Sequence, residues 1–183
     1  MRAVDNYDQH WIEIAKRIDW ISPYKKLKDI SFYKPVSIKW YLDGKLNASV
    51  NCIDRHLATK ANDIAYIFEP DSIHEESKKI TYQELHDSVC RMANILKKYN
   101  VKKGDRVTIY MPMIPEAVYA MLACARIGAI HSVIFGGFSP ESISDRINDC
   151  QSEFLITANE GLRAGKVVPL KKNVDEALKM TSH

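Results

Sequence analysis

The sequence has no apolar run of about 18 residues, the length a membrane-spanning helix needs, so no span and no membrane partner is expected. Its first residues, Met1-Arg-Ala-Val-Asp-Asn-Tyr-Asp8, lack the apolar centre of a secretory signal, and a cytoplasmic location is the expectation. Net charge is small. With 26 Lys+Arg against 23 Asp+Glu, the balance of +3 does not point to nucleic acid and allows only a modest pull on small anions. The four cysteines (Cys52, Cys90, Cys124 and Cys150) stand far apart, and none forms a C-x-x-C pair. That pattern fits reduced, buried thiols rather than a disulfide framework or a dithiol motif. No His, Cys and carboxylate cluster has metal-ligand spacing. There is no repeat at solenoid periods, no G-x-G-x-x-G and no nucleophile elbow.

What is present is ordinary globular composition, 46% hydrophobic and 27% charged, on 183 residues, enough for one domain with a real core. The centre of the chain lies between Arg106 and Thr157. Short apolar strands are predicted over 106–110, 130–135 and 153–157. Helices are predicted over 116–127 and from the cap Ser139 to about Cys150. Strands alternating with helices predict an α/β fold with a parallel βαβαβ core. Ligands of such sheets sit at the carboxyl ends of the strands. Here those ends are Gly136-Gly137-Phe138-Ser139 and the loop 158–165.

Upstream, residues 7–18 read as a short amphipathic helix carrying Trp11, Ile14 and Ile18. Residues 24–46 show little periodicity but hold Tyr24, Phe32, Tyr33, Trp40 and Tyr41. They read as an irregular arm packed on something larger. Asn47 is placed to cap a helix with Val50, Ile53 and Leu57 inward. The organisation expected is therefore a helical, aromatic-rich arm over 1–60 and a partial α/β domain over 61–183. In the second part, 64–68 reads as a strand and 69–79 as a polar loop or hairpin tip. Thr81-Tyr-Gln-Glu84 fits a capping box ahead of the clearest helix in the chain. The helix 116–127 is apolar nearly all round, which predicts burial on several sides or a partner across it. After Thr157, residues 167–170 read as a short strand and 174–179 as a helical piece.

Two stretches carry chemistry. Gly136-Gly137 after a strand admits a ligand close to the backbone, or simply makes a tight turn. Gly161-Leu-Arg-Ala-Gly165-Lys166 fails the P-loop template, because its glycines are one residue too close and Val167 replaces Ser or Thr. Arg163 and Lys166 remain as two cations flanking a glycine, suited to a phosphate or else solvated loop charge. His131, mid-strand, reads as a core histidine rather than a catalyst. No catalytic group is identified.

Several strings are more distinctive. Val36-Ser-Ile-Lys-Trp-Tyr41, Tyr110-Met-Pro-Met-Ile-Pro-Glu116, His131-Ser-Val-Ile-Phe-Gly-Gly-Phe-Ser-Pro-Glu141 and Arg163-Ala-Gly-Lys166 occur in that order. They closely resemble the AMP-forming acetyl-coenzyme A synthetases of the adenylate-forming, AMP-binding enzyme family, as does nearly everything from Trp11 to Leu178. The resemblance implies a two-step ligation: acetate and ATP, with magnesium, give acetyl-adenylate and pyrophosphate, and coenzyme A then takes the acetyl group. It implies the first part of the family's large N-terminal domain. It also implies a contact to coenzyme A through Arg163, Ala164, Gly165 and Lys166, where Lys166 departs from the family's arginine and loses the fork geometry. Phe135, Gly136 and Gly137 match the strand end lining the same site.

The family's Ser/Thr/Gly-rich ATP loop, acyl pocket and catalytic-lysine domain have no counterpart in these 183 residues. No catalytic residue, metal ligand or ATP and magnesium site is therefore assigned. The last residues, Met180-Thr-Ser-His183, also lack a counterpart. The first expectation is a truncated synthetase, inactive alone. The second is one half of a split enzyme, completed by a separate chain carrying the rest. The third is a non-catalytic coenzyme A-binding or interaction module.

Overall fold

A computed structural model of the chain describes residues 6–182. These fall into two compact units, divided between Arg55 and His56.

In the first unit, helix α1 (Tyr7–Ala15) is capped by the Asn6 side chain, which accepts a hydrogen bond from the Gln9 N–H. Strands β1 (Lys26–Ser31) and β2 (Ser37–Leu42) then form an antiparallel hairpin. This corrects the expected irregular segment. Its periodicity is hidden because β1 reads Lys-Leu-Lys-Asp-Ile-Ser and no residue of either strand is fully buried. The aromatics do find something to pack on, which is one another. Trp11 and Trp40 lie 5.7 Å apart between ring centroids, and Tyr24 and Tyr41 5.0 Å apart. Two polar edges are satisfied within the cluster, the Tyr41 hydroxyl donating to the Trp11 carbonyl and the Trp20 indole N–H to the Ala15 carbonyl, each at 3.0 Å, whereas the buried Trp11 indole N–H has no partner among the described residues. Phe32 and Tyr33, at the hairpin loop, are exposed. Asn47 caps the following helical segment, accepting from the Val50 N–H, and the segment widens into a π-helical turn over Val50–Asp54. It continues as α2 (Arg55–Lys60).

The second unit begins within α2, at His56, and continues with an antiparallel pair, β3 (Ile64–Phe68) and β4 (Lys78–Thr81), and then α3 (Tyr82–Lys98). The capping box is present. The Thr81 hydroxyl accepts from the Glu84 N–H at 3.2 Å, and the Glu84 carboxylate accepts from the Thr81 N–H at 2.8 Å. Next come β5 (Arg106–Met111), α4 (Pro115–Ile127), β6 (Ile130–Phe135), α5 (Pro140–Cys150) and β7 (Phe154–Thr157). The three strands form a parallel sheet in the order β6-β5-β7. Val107, Thr108, Ile109 and Tyr110 are all buried, as befits the central strand of a sheet covered on both faces.

Tyr110 and Ile134 pack with Ile143 and Ile147 of α5. They also pack with Leu170, Val174 and Ala177 of α6 (Leu170–Leu178). Helix α4 packs on α3 and on β5 and β6. It buries Ala120, Ala123 and Cys124 completely and leaves only Glu116 fully exposed.

Three expectations need correcting. The stretch 158–170 holds a small hairpin, β8 (Gly161–Arg163) with β9 (Lys166–Val168), rather than a loop and one strand. Helix α6 begins at Leu170, four residues early, because Pro169 ends the strand and serves as its N-cap. His131 is exposed on the edge strand β6, not in the core. Of the cysteines, only Cys124 is fully buried, where burial pushes its thiol up to about 11, whereas Cys52 is exposed. Among the described residues no helix is long and apolar enough to cross a membrane.

The Thr81 cap is the entry to the longest helix, so Thr81→Ala should destabilise the second unit by about 1 kcal/mol. A lower urea midpoint, followed by backbone dichroism with an unchanged slope, is the expected result.

Candidate functional site

The second unit holds a cavity of about 740 Å3, within the range of small-molecule sites. It opens at the carboxyl ends of β5 and β6, where parallel sheets receive ligands. Its floor is the sheet, through Ile109 and Val133. One wall is apolar, made by Ala117, Val118 and Met121 of α4 and by the connection Met111-Pro112-Met113-Ile114. The rest of the lining comes from the turn after β6, the β8–β9 hairpin and residues 69–71, and supplies the charged side chains Arg163, Glu69 and Asp71.

The turn after β6 is set from inside the core. Tyr110 is fully buried, so its hydroxyl needs partners. It reaches the carbonyls of Gly136 (3.0 Å) and Phe138 (3.2 Å) and accepts from the Asn173 side-chain amide at 3.2 Å. Gly137 then lies against the hairpin. A Cβ added there would stand 2.4 Å from the Arg163 Nη1 and 2.9 Å from the Phe135 ring, so only glycine permits this approach. The Arg163 guanidinium sits over the Phe135 ring, 4.7 Å from its centroid. Such a cation–π contact contributes about 0.5–1 kcal/mol at an exposed position. Arg163 and Lys166 face each other in the hairpin register, which puts both cations on one face of the hairpin, and Arg163 is the one that meets Gly137.

The two residues between them make the turn. Ala164 has φ 49° and Gly165 φ 73°, the left-handed pair of a two-residue hairpin loop. For alanine that conformation costs about 1–2 kcal/mol. Both turn amides are held. The Ala164 N–H donates to Asp71 Oδ1 at 2.9 Å and the Gly165 N–H to Asp71 Oδ2 at 2.8 Å. Those two bonds, Gly165's first, hold the Asp71 carboxyl below the usual aspartate range.

The structure thus brings together Phe135, Gly137, Arg163 and the hairpin tip, and sets Gly136 against the Met111 carbonyl at the back. Sequence reading missed the apolar half of the site and Asp71. The proline-spaced Met111–Ile114 connection was a signal for the first. Asp71 sat in a polar stretch with no motif, ninety-odd residues from its partners. Among the described residues, no group of three or more His, Cys, Asp and Glu is placed to hold a metal ion.

The site is thus a mostly apolar pocket at the strand ends of a parallel sheet with helices on both faces, with Arg163, Glu69 and Asp71 as its charged side chains. Residues 53–182 match the AMP-binding enzyme family, and the chain belongs to it. Residues 1–52 match the acetyl-coenzyme A synthetase N-terminus. Similar curated proteins are acetyl-coenzyme A synthetases. That of Rhizobium rhizogenes is 64% identical over 176 residues, covering 96% of this chain and 27% of the relative. Those of Marinomonas sp. and Bradyrhizobium diazoefficiens are 62% and 64% identical, with 96% and 97% of this chain covered and 27% of each relative. The chain therefore spans about a quarter of the length of the curated relatives it matches.

Gly137→Ala should leave stability within about 0.5 kcal/mol, because the two groups it displaces, the end of Arg163 and the Phe135 ring, are both exposed and can turn aside. It should still remove the guanidinium from the Phe135 ring. Loss of the ring-current shift on the Arg163 side-chain protons, with an unchanged melting midpoint, is the expected pairing of results.

Proposed function

We propose that this chain supplies the first part of an acetyl-coenzyme A synthetase and that its own contribution is to receive the nucleotide half of coenzyme A. The observation that supports this most directly is the pair Arg163 and Lys166, on one face of a two-residue hairpin beside a glycine that admits close approach. Phosphates of a nucleotide suit that face: two cations meet them, and no side chain at Gly137 stands in the way. Lys166 brings a point charge rather than a planar fork, so geometric selectivity at the anion falls mainly to Arg163. The apolar wall of Met111, Val118 and Met121 suits the less polar remainder of such a ligand.

In this reading the ligation of acetate, with ATP and magnesium, belongs to the whole synthetase. These 183 residues do not carry it out alone. Adenylation needs the ATP phosphates held in line and the developing charge neutralised. The cavity is lined by one cation, Arg163, together with the carboxylates of Glu69 and Asp71, and Lys166 stands opposite Arg163 in the hairpin. The portion of the relatives that lies beyond the match, whether joined to this chain or supplied as a separate one, completes the reaction.

Two measurements test this. Coenzyme A titrated into the chain by calorimetry should bind saturably, and Arg163→Ala should weaken it by about tenfold, the loss of one charge-assisted contact. A flat titration overturns the binding assignment. The purified chain with acetate, ATP, magnesium and coenzyme A should release no pyrophosphate. Release should appear when the remaining portion of a synthetase is added, and clear turnover by the chain alone defeats the division of labour.

A further inference from the structure

The hairpin tip that carries the two cations is not held by its own strands alone. Strands β8 and β9 contribute three residue pairs in all, which is short for a stable hairpin. Its turn contains an alanine in a left-handed conformation. Its two amides would otherwise point at solvent, with no element nearby in sequence to receive them. Both are taken by the two oxygens of a single carboxylate, Asp71, from the polar loop after β3. One aspartate thus spans the two successive N–H groups, one oxygen to each. A hydroxyl or an amide at this position has no second acceptor oxygen and cannot do the same.

We infer that Asp71 is a positioning residue: it fixes the Ala164–Gly165 turn, and so presents Arg163 and Lys166 together to one anionic ligand. This rests on the coenzyme A reading for the identity of that ligand. Asp71 lines the cavity, but both of its oxygens are committed to the turn, so it acts on a ligand through the residues it holds in place. The Arg163 guanidinium lies over Phe135 and against Gly137. The polar loop 69–79, read from sequence as a simple connection, becomes the strut of the cationic hairpin.

The test compares Asp71→Ala, Asp71→Asn and Arg163→Ala with the unaltered chain, by amide hydrogen exchange at Ala164 and Gly165 and by coenzyme A titration. Asp71→Ala should speed exchange at both amides and raise the Kd for coenzyme A about tenfold, as expected if the ordered tip falls to about a tenth of the population. Asp71→Asn keeps one acceptor oxygen and should fall between. The melting midpoint should not move, because Asp71 lies on an exposed loop; a role in general stability would shift the midpoint and exchange throughout the unit.

Unchanged exchange at the two amides in Asp71→Ala overturns the inference. So does faster exchange with an unaltered Kd while Arg163→Ala raises it. A titration indifferent to Arg163→Ala defeats the coenzyme A reading instead, and the exchange measurement still decides the strut.

Discussion

The buried hydroxyl of Tyr110 is the constraint on which the site depends. A phenol enclosed on all sides must find partners or cost the fold dearly. Tyr110 finds three, from two separate parts of the second unit: the Gly136 and Phe138 carbonyls of the turn after β6 and the Asn173 amide of α6. It thereby ties the central strand β5 to the turn after β6 and to helix α6. Leu170, at the start of that helix, packs beneath the same turn and beneath Gly161 at the base of the β8–β9 hairpin. The turn and the hairpin are loops by sequence, yet both are referenced to one buried side chain. That is why Gly137 and Arg163 meet at a fixed distance although 26 residues separate them.

The pocket divides its work by chemistry. Its α4 side is methionine, valine and alanine, adaptable and water-shedding. Its hairpin side carries charge on a rigid turn. Acidic groups are present on that side too: Asp71, which keeps its negative charge while its oxygens accept from the turn amides, and Glu69.

The βαβαβ core was legible in the sequence because its central strand is buried on both faces, its outer strands are short apolar runs and its helices have clear ends. Val107 to Tyr110 form an uninterrupted buried run, and Thr81, Ser139 and Pro115 mark helix starts in the ordinary way. The β1–β2 hairpin was not legible. Its strands are rich in lysine and half-exposed, so no alternation survives, and its stabilising contacts are aromatic pairs across the unit rather than along it. The short β8–β9 hairpin was hidden for a related reason: at three residues, a strand has no period to read. Within the candidate site, glycines and cations could be picked out because their types are informative singly. Asp71 could not, because what makes it matter is two backbone amides some ninety residues away.

The aromatic cluster of the first unit has a practical side. All three tryptophans of the chain, Trp11, Trp20 and Trp40, belong to that unit, and the second unit has only tyrosines and phenylalanines. Light at the red edge of protein absorption therefore excites fluorophores of the first unit alone. The chain carries its own spectroscopic label on residues 6–55 and is dark in that channel over the pocket, so a ligand that quenches or brightens the indoles reports on the first unit, while the second has to be followed by tyrosine absorbance or backbone dichroism.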